Sequence, residues 1–223
     1  MTIKKSPGSA EAVIYKAHSN FKVYLFIGLG NPDKKYEQTR HNAGRGFLAG
    51  WCKKNNAADE HIRPDWNAGV RDVRPDSGPK KVAVLPNTMM NKSGSAVAAA
   101  AAYYKTKPDH IIVLHDDADI PAGRVKMSFG KRSAGHKGVE SVIRALKTRD
   151  FWRIRIGIAG RRNIPAEKIV LKKWTPQEAA LVKKVAERVF DALLCILTDG
   201  PEKAMMELNT IPRRKKTAAK NRR

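Results

Sequence analysis

Five short apolar runs, each closed by polar or turn-forming residues, set the frame for this chain: KVYLFIG (22–28), KVAVLP (81–86), IIVLH (111–115), RVKMSF (124–129) and WRIRIGIA (152–159). Runs of this length, rich in Val, Ile and aromatic residues, read as strands, and those lacking a polar alternate face read as strands covered on both sides. A weaker sixth lies near WNAGVRDV (66–73). Helical spacing separates several of them. Asn42 opens a helix that turns Phe47, Leu48 and Trp51 inward; a second follows NKSG through the Ala run 98–102; a third covers about 137–148. The longest starts at Thr175, a good N-cap followed by Pro176 at the first helical position, and carries Leu181, Val182, Val185, Val189, Leu193 and Leu197. A short final helix follows Pro201. This alternation predicts an α/β fold: a single domain with a mostly parallel, mixed, twisted sheet and helices on both faces. The short link between 111–115 and 124–129 allows an antiparallel pair within it. The expected boundaries are a flexible N-terminal extension over 1–20, a folded domain over 21–211 and a basic flexible tail over 212–223.

Charge narrows the partner. Forty-four Lys and Arg face 21 acidic residues, a net +23. The last eleven residues, RRKKTAAKNRR, hold seven of the basic side chains, so the body alone keeps +16. Such an excess attracts polyanions, and nucleic acid is the leading class. No apolar run approaches the roughly 18 residues of a membrane span, and the first twenty residues match neither a signal nor a transit peptide. The expectation is a cytoplasmic protein with no membrane partner. Cys52 and Cys195 form no C-x-x-C pair and read as core thiols rather than as a disulfide or zinc framework.

Ligand crevices in open α/β sheets lie beyond the carboxyl ends of the strands, and the polar clusters fall there. The first is FIGLGNPDKKYEQTRHNAGRGF (26–47). As a dinucleotide loop it is a weak match, because Asp33 takes the place of the third glycine and Pro32 removes an amide donor. It supplies instead Asn31, Tyr36 and the imidazole of His41. After the second run, LPNTMMNKSG brings Met89 and Asn91, the latter also a natural N-cap. After the third, HDDADIPAG aligns Asp116, Asp117 and Asp119, a row of carboxylates that reads on its own as a solvated acidic turn or as hard oxygen ligands for a divalent metal. SAGHKG sets His136 and Lys137 at the mouth of the next helix.

GLGNP, TRHNAG, MNKSG, HDDADIPAG, GHKG and RIRIGIAG, in this order and with the tyrosine at 36, resemble the bacterial-type peptidyl-tRNA hydrolases over about residues 23–209. The resemblance implies an esterase that hydrolyses the ester between an N-blocked peptide and the 3′ ribose of tRNA, recycling the tRNA without metal or other cofactor. His41 then looks like the general base and Asp116 the carboxylate that orients it. Asn31 looks like the residue that senses acylation of the α-nitrogen, and Asn91 like the one that binds the peptide carbonyl region. Tyr36 and Met89 resemble groove-lining positions at the terminal nucleotide. Lys137 departs from the family's GHNG, occupying the Asn position beside the basic Lys131 and Arg132. The expected partner is the acceptor end of peptidyl-tRNA, with Lys126, Arg132 and Lys137 as phosphate contacts, a monomeric state, and ribosome proximity left open. A catalytically silent RNA-binding or ribosome-associated module on the same fold is the second reading.

Overall fold

The computed structural model describes residues 23–73, 79–160 and 165–210. The expected extension 1–20 and basic tail 212–223 lie outside them. The chain builds a seven-stranded sheet from β1 (Val23–Gly28), β2 (His61–Arg63), β3 (Ala68–Val73), β4 (Lys80–Pro86), β5 (Ile111–Pro121), β6 (Val125–Phe129) and β7 (Trp152–Ala159), in the order β2-β3-β4-β1-β5-β7-β6. The four central strands β4, β1, β5 and β7 are parallel, and β2, β3 and β6 join at the edges in antiparallel pairs. An antiparallel strand does follow 111–115, but β6 pairs with β7 and not with β5.

The apolar runs are continuous because alternate residues feed two cores. Tyr24 and Phe26 of β1, with Ile112 and Leu114 of β5, meet α1 (Ala43–Lys54), α5 (Pro176–Thr198) and α6 (Pro201–Asn209) on one face. Leu25 and Ile27, with Ile111 and Val113, meet α2 (Ser93–Tyr104) and α3 (Lys137–Leu146) on the other. A single-turn helix, α4 (Ala166–Ile169), precedes α5. Thr175 and Glu178 close α5 with a reciprocal capping box, and Pro176 takes the first helical position. Val185, Val189 and Leu193 are buried, whereas Leu181, one turn before Val185 on the same face, stands 46% exposed near the start of the helix. Cys52 is buried, which pushes its thiol up to about 11, and Cys195 is half-buried against the same core. Among the described residues no helix is long and apolar enough to cross a membrane.

Candidate active site

Three connections converge near the carboxyl ends of the central strands. Asn31 follows β1, His41 lies in a 3-10 turn (Arg40–Asn42) that leads into α1, Met89 and Asn91 follow β4, and His136 and Lys137 open α3. Asp116 comes from β5 itself. HDDADIP is not a loop after a strand: β5 runs on through it, paired with β7, and His115, Asp116 and Asp117 are all buried. Close approach of α1 to β5 brings the two halves together. A methyl group at Gly44 would overlap the Leu114 carbonyl oxygen and lie 3.0 Å from the His115 Cα, so only glycine lets α1 sit this near.

His41 Nδ1 and His136 Nε2 both reach Asp116 Oδ1, at 2.9 and 2.8 Å. The hydrogen bonds fix the protons. His136 Nδ1 accepts from the amides of Gly138 and Val139, capping α3, so its proton sits on Nε2 and is donated to the carboxylate. Burial alone would push the Asp116 carboxyl up, but the His136 and His41 donors and the positive charge either ring can carry outweigh it and hold the group well below its ordinary range. An ionised Asp116 accepts from His41 Nδ1, which leaves His41 Nε2 unprotonated in the neutral ring. His115 completes the surroundings: its Nδ1 lies 2.6 Å from the Asp116 carbonyl oxygen, its ring meets His136 edge-on at 4.8 Å, and burial lowers its pKa so that it stays neutral.

A cavity of about 520 Å³ opens over this group. Asn31, His41, Met89, Asn91, Asp116 and Lys137 all line it. Asn31 is 5% exposed, and its backbone is held both ways by the Asn42 carboxamide, at 2.9 Å each. Its Oδ1 accepts from the Met90 amide at 2.8 Å, so the NH2 is the part of its side chain left to offer. Asn91 is exposed within the turn Met90–Lys92 and does not cap α2, which starts at Ser93. Met89 is 43% exposed, and Lys137 is the exposed first residue of α3. Tyr36 is not brought in. It lies half-buried in the 3-10 turn Lys34–Tyr36, under the Lys35 ammonium at 5.0 Å, and does not line the cavity.

The three acidic residues of HDDADIP do not converge on a metal. Asp117 accepts from Arg155 Nε at 2.8 Å and from the Asp119 amide at 2.9 Å, and Asp119 is exposed. Among the described residues, His41, Asp116 and His136 have the spacing of a ligand set. His136 Nε2 would have to lose its proton while Nδ1 also carries none, which an imidazole resists, so the set suits protons better than a cation. Sequence reasoning put His136 at a helix mouth without a role. Its link to Asp116 spans 20 residues, and the available signal was a histidine standing directly before an amphipathic helix.

The sequence profile described as Peptidyl-tRNA hydrolase matches residues 25–219. A curated peptidyl-tRNA hydrolase from Haemophilus influenzae (strain PittGG) is 37% identical over 193 residues, which cover 85% of this chain and 97% of that protein. One from Neisseria meningitidis serogroup A is 38% identical over 191 residues, with 84% and 97% coverage. The crystal structure of peptidyl-tRNA hydrolase from Acinetobacter baumannii superposes with a TM-score of 0.78 at 26% identity, covering 85% of this chain and 96% of that one. With the profile spanning nearly the whole described body, this chain belongs to the peptidyl-tRNA hydrolase family.

Proposed function

We infer that this chain hydrolyses the ester that joins a peptide to the 3′ ribose of tRNA, with His41 as the base that activates water. The observation that carries the reading is the pairing of His41 Nδ1 with buried Asp116, which leaves His41 Nε2 as a free acceptor in the cavity. Water attacks the ester carbonyl as Nε2 takes its proton. The tetrahedral intermediate then expels the ribose oxygen, which recovers the proton from the imidazolium. Asp116 stabilises that imidazolium, and His136, itself held by two amides, keeps the carboxylate from turning away.

The Asn31 NH2 serves as donor to the acyl group next to the scissile bond, and Asn91 offers donor and acceptor together to the peptide backbone. Recognition through backbone groups suits an enzyme that must take many peptides, while the constant tRNA part supplies much of the binding. Lys137 at the cavity, with Lys126 and Arg132 exposed nearby in sequence, meets the acceptor-end phosphates. A stacking role for Tyr36 requires a ligand that extends beyond the cavity rim. No metal or organic cofactor enters this chemistry, and the reading includes a monomer acting in the cytoplasm on peptidyl-tRNA shed by ribosomes. A silent RNA-binding module would have no use for a buried carboxylate shared by two imidazoles.

The test is hydrolysis of an N-acylaminoacyl-tRNA against its unacylated counterpart. Release from the first alone is expected, and His41→Ala should lose at least about 10²-fold, the scale of general-base catalysis, while tRNA binding persists. Parental turnover by His41→Ala would remove the base from its role.

A further inference from the structure

Beside the base sits an arginine that the chemistry above leaves unused. Arg40 is 7% exposed and does not line the cavity. Burying a guanidinium is costly unless its donors are met, and here both terminal nitrogens find acceptors while Nε, also buried, has none. Nη1 donates to the Ile158 carbonyl at the end of β7, at 3.0 Å, and Nη2 to Glu178 Oε2 in the first turn of α5, at 2.7 Å. Its face lies 5.3 Å from the Trp174 ring. The same Glu178 oxygen accepts from the backbone amide and the hydroxyl of Thr175, so one atom anchors both the arginine and the start of α5.

The backbone on either side is tied to the same region. The Arg40 amide donates to Lys172 O at 3.0 Å, the His41 amide to Val170 O at 2.8 Å, and Thr39 bridges Lys173 in antiparallel fashion. Val170 and Leu171 form part of the cavity wall. The base therefore hangs between two supports: its ring on Asp116, its peptide unit on the strap 170–173. Arg40 bolts that strap's continuation, Trp174 to Glu178, to β7.

We infer that Arg40 is a positioning residue for His41, acting through the strap and the first turn of α5 rather than on substrate. A planar fork is needed here because one side chain must reach a carbonyl and a carboxylate on different elements while its charge sits over an indole; an ammonium keeps the charge but not that geometry. The inference rests on His41 being the base, and its experiment separates the two. In the full chain, Arg40→Lys should keep KM for N-acylaminoacyl-tRNA within about two-fold while kcat falls about ten-fold or more, since a misplacement of about 1 Å in a catalytic group costs on the order of 10²-fold. Glu178→Gln, which keeps an acceptor without the charge, should lose less and provides the same measurement if Arg40→Lys folds poorly. The deciding arm places each substitution on His41→Ala and follows single-turnover hydrolysis at high enzyme concentration: with the base gone, neither should slow the residual reaction further. The same fold-loss in the His41→Ala background, or a lowered melting temperature with kcat unchanged, would reduce Arg40 to a structural ion pair. A His41→Ala variant as fast as the parent would instead refute the base assignment.

Discussion

Replacing Asp116 by Asn tests the electrostatic heart of the site, because the structure predicts which way the new amide must face. Both imidazoles use Oδ1, and His136 cannot shift its proton to Nδ1 without losing the amides that it caps. Its Nε2–H therefore demands an oxygen at that point, which orients the asparagine and preserves the His41 tautomer. What is lost is the charge alone. Taking about 4 Å between charge centres and an effective dielectric of about 20, a carboxylate favours the imidazolium by about 4 kcal/mol. That corresponds to roughly 10³-fold in rate.

Folding should suffer less. Exchanging two charge-assisted hydrogen bonds for neutral ones costs about 1–2 kcal/mol, and relief of a buried charge offsets part of it. The pH dependence has a definite sign. Because the Asp116 carboxyl is held below its ordinary range in the folded protein, its contribution to stability is complete above the unfolded value near 4 and is lost as pH falls through the folded value. Denaturant melts of the parent should therefore weaken more steeply below about pH 4 than those of Asp116→Asn. The rate is read by single-turnover hydrolysis of N-acylaminoacyl-tRNA with melts run in parallel. Activity within about ten-fold of the parent in a folded Asp116→Asn would refute the reasoning, since the charge would then contribute little to the transition state.

Two glycines two residues apart on α1 should respond in opposite ways. Gly44→Ala forces α1 off β5 and should lower both melting temperature and kcat, whereas the exposed Gly46 has open space around it, so Gly46→Ala should stabilise by about 0.5–1 kcal/mol with activity unchanged; melts and steady-state assays on the pair check this, and an innocuous Gly44→Ala would show that the close packing is not what sets His41. At Lys137, Lys137→Ala should raise KM for peptidyl-tRNA while Lys137→Asn, the residue usual in the family, keeps substantial activity. Kinetics in which Lys137→Ala matches the parent would put that side chain outside the site.

The elements that were legible in the sequence are those whose burial follows hydropathy. The runs at 22–28, 81–86 and 152–159 emerge as β1, β4 and β7 nearly residue for residue, and Thr175 with Pro176 marks the start of α5. Where burial departs from hydropathy, the reading stops short. β5 continues six residues past its apolar stretch because β7 pairs with Asp116 and Asp117, and polar side chains that are buried for chemistry carry no strand signal. β2 is three residues long with Ile62 exposed, too short for a period to show. Sheet order also exceeds local information: β6 skips its sequence neighbour β5 for β7. At the site, six of the seven expected residues line one cavity because the segments that carry five of them converge on Asp116 of β5, while Tyr36, displaced by a turn that nothing in the local pattern orients, stays outside. His136 and Arg40 act through partners far along the chain, and spacing alone does not reveal such bonds.

The double duty of His136 also limits how this enzyme can evolve. Serine, aspartate or asparagine at that position would cap α3 at least as well, yet none of them sets an acceptor toward the helix and an N–H donor toward Asp116 from opposite sides of a rigid ring. A substitution that improves the helix thus releases the carboxylate, and one that keeps a donor without the acceptor frays the helix. Drift at this position is closed in both directions, so a screen for thermal stability that scans helix caps across the protein would have to leave this one alone and look instead to α2 and α6, whose N-caps offer no side-chain acceptor.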